Sequence, residues 1–232
     1  MDFLNLIFPK YCVGCKKLGR YLCDKCFSYL SFDTQGICVV CNHASTNNLT
    51  HPGCKTKYTI DGIFSSLSYN PIVKKLIYNF KYRPYLSDLK KLLIDLFFEG
   101  LIQREEFYNT NQYLKGKSVL VPIPLHVSKM RIRGYNQSEI LAKGLEGKLN
   151  LKKYDFLKRI KKTVSQAGLS QKERRKNISG AFAVFSDISL DRYPNIFLVD
   201  DIFTTGSTLN EAAKVLKRAG VKSVWGLTLA RD

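Results

Sequence analysis

The sequence has 232 residues, of which 37 are Lys or Arg and 19 are Asp or Glu, so its formal net charge at pH 7 is +18. Its 45% hydrophobic and 12% aromatic residues exclude a wholly disordered chain, and its length allows one ordinary core with a small additional module. The excess of positive charge favours an anionic partner, such as nucleic acid, a phosphorylated metabolite or a membrane face.

Signals for secretion and for membrane insertion are both missing from the sequence. The opening "MDFLNLIFPK" lacks a positively charged start and a cleavage site, and no run reaches the roughly 18–20 apolar residues of a spanning helix. We therefore expect a cytoplasmic protein without a transmembrane segment. In that compartment, cysteine clusters bind metal more often than they form disulfides.

The first element in chain order is a cysteine-rich module, which holds all seven cysteines within residues 1–57. Three C-x-x-C units each point two thiolates at one centre, and two such units complete the tetrahedral shell of zinc. The spacing predicts two structural zinc sites, of which the second takes a histidine because "HPGC" repeats the x-x spacing. The expected ligands are Cys12, Cys15, Cys23 and Cys26 in the first site, and Cys38, Cys41, His51 and Cys54 in the second.

Other arrangements of the cysteine module stay open at this point. Cys12 and Cys15 can share an ion with Cys38 and Cys41, and a single zinc is also compatible with the spacing. Free thiols or a redox pair are less favoured, because one redox pair does not need two neighbouring pairs. A closed four-ligand site holds together a segment too small for its own core and does no chemistry.

The second domain is expected over residues 58–232 and alternates strands with helices. Apolar and β-branched runs predict strands, and apolar residues at helical spacing predict helices. Strand–helix–strand order with apolar strands indicates an α/β fold with a parallel sheet flanked by helices. The predicted elements are a strand at 58–69, helices at 70–82 and 86–102, a strand at 118–125, a helix at 134–149, a strand at 195–201, a helix at 208–221 and a strand at 223–231.

The stretch "FLVDDIFTTGST" (197–208) carries the chemistry of this domain. A strand that leads through a glycine loop into a helix presents backbone N–H groups to a phosphate. Gly206 lets the backbone approach the anion closely, and hydroxyl donors are supplied by Thr204, Thr205, Ser207 and Thr208. Asp200 and Asp201 accept hydrogen bonds from sugar hydroxyls or act through a divalent cation. The pattern predicts a site for a sugar phosphate with vicinal hydroxyls.

This stretch resembles the binding signature of the type I phosphoribosyltransferases, an acidic pair followed by Thr205-Gly206-Ser207-Thr208. The resemblance implies the type I phosphoribosyltransferase fold. It also implies that Asp200 and Asp201 contact the ribose hydroxyls of phosphoribosyl pyrophosphate, that residues 204–208 hold its 5′-phosphate, and that Mg²⁺ sits on the pyrophosphate side.

A wider resemblance covers nearly the whole chain and is to the ComF family of ComFC/GntX-type proteins, which are associated with natural DNA transformation. It is carried, in order, by the cysteine module, "FKYRPY" (80–85), "VPIPLHVSKMRIRGYNQSEILAK" (121–143), "QAGLSQKERRKNISGAF" (166–182) and the phosphate stretch. The sequence departs from this family where a fourth C-x-x-C is common, since Cys54 is followed by Lys55, Thr56 and Lys57. The second zinc site therefore depends on His51.

The resemblance implies further site residues. The pyrophosphate loop falls on Pro122, Ile123, Pro124 and Leu125, and Arg131, Arg133, Asn136 and Gln137 line the same cleft. In a working transferase Arg131 or Arg133 would stabilise the departing pyrophosphate. Residues 158–177 stand where true transferases have a flexible loop that closes over the active site and excludes water.

Residues 152–176 are strongly basic, with ten Lys or Arg against Asp155 and Glu173. Such a run is either a solvated loop, a guard of the pyrophosphate pocket or a track for nucleic-acid phosphates. Tyr82 and Tyr85 flank Arg83 and are candidates for stacking on unpaired bases.

Three hypotheses follow for the activity. The chain is a competence protein that handles single-stranded DNA on a scaffold that binds phosphoribosyl pyrophosphate, or an active phosphoribosyltransferase with an unidentified acceptor, or a regulatory protein that keeps the pocket as a sensor. Expected partners are phosphoribosyl pyrophosphate, single-stranded DNA and competence or DNA-translocation proteins at the inner membrane face.

Overall fold

The structure is a computed structural model of the chain, and it describes residues 9–82, 87–114, 116–164, 170–185 and 190–232. Within these ranges no helix has both the length and the apolar character needed to cross a membrane.

Four parallel strands form the central sheet, as the apolar strands of the sequence predict. They are β1 (Gly62–Ser68), β2 (Ser118–Pro122), β5 (Asn195–Phe203) and β6 (Ser223–Arg231), in the spatial order β1-β6-β5-β2. A separate antiparallel pair consists of β3 (Leu157–Arg159) and β4 (Phe182–Val184). Because β2 and β5 are parallel neighbours, with Pro122 opposite Val199, their carboxyl ends meet at one edge, where α/β folds bind ligands.

Helices cover both faces of the sheet. They are α1 (Asp24–Phe27), α2 (Pro71–Tyr82), α3 (Ser87–Ile102), α4 (Glu105–Tyr113), α5 (Val127–Arg133), α6 (Gln137–Leu149), α7 (Gln171–Ile178) and α8 (Ser207–Arg218). Short 3-10 turns occur at Thr46–Asn48, Pro52–Cys54 and Leu190–Arg192. Side-chain hydrogen bonds to the backbone determine where several of these helices begin. The Asn136 side chain accepts from the Ser138 amide before α6, and Ser170 with Glu173 forms a capping box on α7.

The core lies in two layers, one on each face of the sheet. Alternate residues of β5 point to opposite faces, so Phe197 and Val199 join one layer while Ile196 and Leu198 join the other. All four are fully buried, and each contributes about 1.5–3 kcal/mol of hydrophobic stabilisation. The first layer includes residues of α2, α3 and α6, and the second includes residues of α8, β3 and β4.

The cysteine-rich segment packs into both layers. Cys12, Val13 and Leu22 belong to the first layer, and Ile37 and Val39 belong to the second. Its buried side chains therefore share the hydrophobic cores of the sheet. The boundary expected at residue 58 stays a prediction.

The outer edge of β1 is covered by the cysteine-rich segment and by α3–α4. The Ser68 amide donates to the Ser31 carbonyl at 2.9 Å. The Ser65 carbonyl accepts from the Thr34 hydroxyl at 2.9 Å and from Arg104 Nε at 3.1 Å. The carbonyl of Ser65 and the amide of Ser68 are thus paired with groups outside the sheet.

The outer edge of β2 is covered by the chain that follows α6. The Leu120 amide donates to the Lys152 carbonyl, and the Tyr154 amide donates to the Leu120 carbonyl, both at 2.9 Å. This contact anchors the start of the basic stretch beside the sheet.

The structure adds elements that the sequence pattern did not predict. Helix α4 was missed because it is polar and buries only Phe107. Strands β3 and β4 have three residues each, too short for a period of two to stand out. Strand β3 and helix α7 overlap the two ends of residues 158–177, where the resemblance implies a flexible loop. Residues 165–169 of that loop lie outside the described part of the chain.

Candidate functional site

Two groups of metal-binding side chains converge in the N-terminal segment. Within each group the candidate ligand atoms all lie within 4.8 Å of one another. The structure groups the units in sequential order, not in the interleaved order, and the two separate groups leave room for two ions. The first cluster is Cys12, Cys15, Cys23 and Cys26, and the second is Cys38, Cys41, His51 and Cys54.

The spacing within the clusters fits a tetrahedral zinc ion. Zn–S bonds of about 2.3 Å and Zn–N bonds of about 2.0 Å put two sulfurs about 3.8 Å apart, and a sulfur and a nitrogen about 3.6 Å apart. Cys15 Sγ lies 3.6 Å from Cys23 Sγ, and Cys41 Sγ lies 3.4 Å from His51 Nδ1. The donor set and spacing are those of closed structural sites.

The thiols of the two clusters are prepared for metal by their surroundings. Burial works to raise the pKa of Cys12, but amide N–H groups, including that of Cys15, outweigh it and lower the pKa to about 6. The same opposition lowers the pKa of Cys38 to about 7. Burial and neighbouring thiols raise the pKa of Cys26 to about 12 and that of Cys54 to about 11. Thiolates this crowded need a cation to be fully deprotonated together.

His51 is oriented as a metal ligand by a second contact. Its Nε2 lies 2.9 Å from the Ala44 carbonyl oxygen, so Nε2 carries the proton and Nδ1 presents a lone pair to the cluster. A hydrogen bond of this kind fixes the tautomer of ligating histidines. His51 thus stands where a fourth cysteine would otherwise be required.

A cavity of about 340 Å³ opens at the carboxyl end of β5. One wall is the phosphate loop, the name used here for residues 204–208. Gly206 has φ 68°, a left-handed conformation that favours glycine, and it caps the start of α8. The Thr205 and Ser207 hydroxyls lie 2.9 Å apart. All five loop residues line the cavity, where hydroxyls and the helix start offer donors to an anion.

The two aspartates stand at the floor of this cavity. Asp200 Oδ1 accepts from the Ser138 hydroxyl and from the Asp201 amide, each at 2.9 Å. Burial and the adjacent Asp201 carboxylate raise the pKa of Asp200 to about 7. Asp201 forms an ion pair with Lys81 of α2. Burial disfavours the ammonium of Lys81, but Asp201 outweighs it and raises the pKa of Lys81.

Cations surround the aspartates and make the cavity electropositive. Five basic side chains line it against two carboxylates: Lys81, Lys129, Arg133, Arg159 and Arg174. Arg174 Nη1 donates to the Thr204 hydroxyl at 2.8 Å. Arg159 Nε is buried without a hydrogen-bond partner, and burial lowers the pKa of Arg159. Burial, and then the nearby Arg159, lower the pKa of Lys129. This concentration of desolvated cations is suited to a highly charged anion.

The structure brings most of the predicted site residues together. Asp200, Asp201, the phosphate loop, Leu125 and Arg133 all line the cavity. Arg131 is exposed on α5 and does not line it. The reason is geometric: residues two apart on a helix differ by about 200° in direction, so Arg131 and Arg133 cannot face the same cavity.

Two other predicted residues of the cleft have different roles in the structure. Pro124 does not line the cavity, whereas its neighbours Ile123 and Leu125 do. Asn136 holds the pyrophosphate-loop segment by donating to the Ile123 carbonyl at 3.0 Å. Of the stacking candidates, Arg83 and Tyr85 lie outside the described residues.

Sequence reasoning gave no cavity role to Lys81, Lys129, Arg159, Arg174 or Ser138. Lys81 and Arg174 fall within the quoted segments "FKYRPY" and "QKERRKN", so the segments were noticed but not the individual side chains. Arg159 was counted only as part of the basic stretch. What singles these residues out is their burial beside the aspartates, which one sequence does not show.

Comparisons with known proteins find two family models that match separate parts of the chain. Residues 3–55 match the family model of the Double zinc ribbon domain, and residues 134–232 match that of the Phosphoribosyl transferase domain. Together with the parallel sheet and the metal clusters, these matches define a protein with a phosphoribosyltransferase fold and an N-terminal zinc-binding segment, and they support structural zinc.

The chain is also similar to curated proteins whose names refer to competence or to DNA utilization. Competence protein F of Haemophilus influenzae is 41% identical over 120 residues, which are 50% of this chain and 52% of that relative. Competence protein ComFC of Bacillus subtilis is 28% identical over 233 residues, covering 93% and 86% of the two chains. DNA utilization protein YhgH of Escherichia coli K12 is 28% identical over 230 residues, covering 90% and 96%. Together with the two matched domains, these similarities support a ComF-family protein.

Proposed function

We propose that this chain binds phosphoribosyl pyrophosphate, with Mg²⁺, in the cavity at the carboxyl end of β5, and that it handles single-stranded DNA in a competence role. The observation that carries the ligand proposal is the juxtaposition of the Asp200–Asp201 pair, the phosphate loop and five cations around one cavity. The competence role is supported by the names of the ComF-family relatives.

Each part of the ligand has matching chemistry in the cavity. The phosphate loop and the start of α8 offer hydroxyl and amide donors to the 5′-phosphate. Asp200 and Asp201 accept hydrogen bonds from the ribose hydroxyls. Arg133, Arg159 and Lys129 lie among the cavity cations and suit the pyrophosphate. A bound Mg²⁺ would neutralise part of the charge of the pyrophosphate.

The ligand proposal is tested with the Asp200→Asn, Asp201→Asn double variant, which keeps the shape of both side chains. Titration calorimetry with phosphoribosyl pyrophosphate and Mg²⁺ should show a loss of at least tenfold in affinity, since two hydrogen-bond acceptors lose their charge. Asp155→Asn, on an exposed carboxylate outside the cavity, is the matched control. Unchanged affinity in the double variant would exclude the assignment.

Single-stranded DNA is proposed as partner because exposed aromatic rings and cations adjoin the cavity. Tyr78 and Tyr82 of α2 are 60% and 52% exposed, and their ring centroids are 4.8 Å apart. The guanidinium of Arg133, which also lines the cavity, lies 5.3 Å from the Tyr82 ring centre. Exposed aromatic rings beside cations suit the bases and phosphates of an unpaired strand. Within the basic stretch, Lys158, Lys161 and Lys162 are exposed.

The DNA proposal is tested by fluorescence anisotropy with an oligothymidylate. Tyr82→Leu should weaken binding by about 5- to 150-fold, the value of one stacked base. Tyr113→Leu, at a tyrosine that is 89% exposed on α4, should not. Affinity of the unmodified protein should fall steeply with salt. If the affinity for the oligothymidylate does not change with salt concentration, the basic surface does not bind the phosphates of the strand.

The competence role is tested in a strain that lacks the protein. We expect complementation with the unmodified chain to restore transformation and the double aspartate variant to fail, provided that both are present in equal amounts on an immunoblot. If the variant restored transformation fully, the two aspartates of the cavity would not be needed for the competence role.

Active transfer is the second candidate, and the environment of Asp200 favours it. A carboxyl with a pKa of about 7 can accept a proton at neutral pH. In such a reaction the acceptor forms a bond to C1 of the ribose, the C1–oxygen bond breaks, pyrophosphate leaves with the electron pair, and the acceptor's proton passes to Asp200. Release of pyrophosphate across a panel of acceptors tests this candidate. No release above the Asp200→Asn background would favour binding without turnover.

A further inference from the structure

The second metal cluster lies directly behind the phosphate loop. The C-x-x-C turn of this cluster contains Val39 and Val40, and Val39 is 1% exposed. A Cβ built on Gly206 would lie only 2.6 Å from both Val39 Cγ1 and the Val39 carbonyl oxygen. The backbone of the phosphate loop thus rests against the metal-binding turn with no room for a side chain between them.

Helix α7 ties the same two segments together from the side. The Arg175 guanidinium donates to the Val40 carbonyl, while Arg174 Nη1 donates to the Thr204 hydroxyl in the phosphate loop. Adjacent residues of one helix therefore hold the turn and the loop.

Backbone hydrogen bonds shape the turn that carries two ligands of the second cluster. The Asn42 amide donates to the Cys38 carbonyl, and the Cys38 amide donates to the His43 carbonyl, each at 2.9 Å. These two bonds close a tight loop that carries Cys38 and Cys41. A metal ion bound by all four side chains would join this loop to His51 and Cys54.

In the described part of the chain, the first cluster makes no such contact with the phosphate loop. Its glycine, Gly14, packs against Cys26 and against Ile72 at the start of α2. Val13, which follows Cys12 just as Val39 follows Cys38, is also buried, at 5% exposure, but in the opposite core layer. The two clusters thus provide an internal comparison.

We infer that the metal-bound Cys38–Cys41 turn is a positioning element for the phosphate loop, so that loss of metal from the second cluster weakens binding of a sugar phosphate in the cavity. The inference rests on the proposed ligand class. It makes the metal content of the second cluster a determinant of ligand binding in the cavity.

The experiment compares Val39→Ala with Val13→Ala in the full chain. Both remove two methyl groups beside the first cysteine of a metal-binding turn and keep every ligand. The probe is ribose 5-phosphate by titration calorimetry, with zinc per chain measured on the same samples. Val39→Ala should keep its zinc and lose on the order of tenfold in affinity for ribose 5-phosphate, about 1.4 kcal/mol. The affinity of Val13→Ala should stay within about twofold of that of the unmodified protein.

A second pair tests the metal itself. Cys41→Ser and Cys15→Ser should each lose about one zinc per chain, with the loss of affinity at least fivefold greater for Cys41→Ser. The inference would be overturned if the two members of each pair lost the same affinity for ribose 5-phosphate. It would also be overturned by a Cys41→Ser protein that lacks one zinc and still binds ribose 5-phosphate as tightly as the unmodified protein. If Cys41→Ser does not fold, the comparison of Val39→Ala with Val13→Ala tests the inference by itself. If the unmodified protein itself does not bind the probe, the proposed ligand fails and this inference fails with it.

Discussion

Replacement of Arg159 by methionine should have opposite effects on ligand binding and on stability. Arg159 lines the cavity, its Nε is buried without a partner, and burial lowers its pKa. The ligand-free protein therefore holds a cation whose desolvation is not fully compensated. Removal of such a charge is stabilising when the replacement packs well.

The expected loss of affinity follows from the bonds that Arg159 can donate to a phosphate. A hydrogen bond to a charged group contributes about 1.5–3 kcal/mol, so Arg159→Met should weaken phosphoribosyl pyrophosphate binding by about 10- to 150-fold. The melting temperature of the ligand-free protein should rise or stay level.

Calorimetry with phosphoribosyl pyrophosphate and Mg²⁺, together with thermal unfolding, measures both effects. Lys158→Met is the matched control, because Lys158 is the exposed neighbour of Arg159 on β3 and its side chain points to the other face. Its removal should change neither quantity appreciably. An Arg159→Met protein that binds normally, or one that loses both binding and stability, would refute the reasoning.

Three more predictions concern stability and metal content. Because the pKa of Asp200 is raised from 3.8 to about 7, the folded state loses stability as pH rises between these values. Asp200→Asn should therefore stabilise the ligand-free protein more at pH 8 than at pH 5.5, by about 2 kcal/mol in the free energy of unfolding, and equal gains in melting temperature would contradict this. Gly206 and Gly180 have φ values of 68° and 67°, but a Cβ meets other atoms only at Gly206. In urea unfolding Gly180→Ala should therefore cost about 1 kcal/mol and Gly206→Ala clearly more; equal costs would rule out the tight contact with Val39. Elemental analysis should find two zinc ions per chain, and a consistent value of one would exclude two filled clusters.

The succession of the main strands and helices along the chain and the chemistry of β5 could be predicted, because each depends on local pattern. The apolar run before Asp200 and the Thr-Gly-Ser-Thr turn after it define a strand, a loop and a helix start without reference to distant residues. The C-x-x-C spacing is equally local. Helix α4 and strands β3 and β4 could not be predicted, because α4 buries a single apolar side chain and the strands are short.

The full set of cavity cations could not be predicted because it is assembled from distant parts of the chain. Lys81 on α2 reaches Asp201, which lies 120 positions later, and Arg174 on α7 reaches Thr204. In the sequence these residues are indistinguishable from the many exposed lysines and arginines around them. Only the path of the chain selects which basic side chains become buried beside the aspartates.

The covered edges of the sheet restrict how copies of this chain can associate. An edge strand with open backbone groups is a template on which another molecule can add a strand. Here Ser65 and Ser68 already bond to groups outside the sheet on one side, and Leu120 does so on the other. Growth by strand addition is therefore blocked at these positions. We expect any self-assembly of the chain to proceed through its helices, which leaves the ligand edge of the sheet open to solvent.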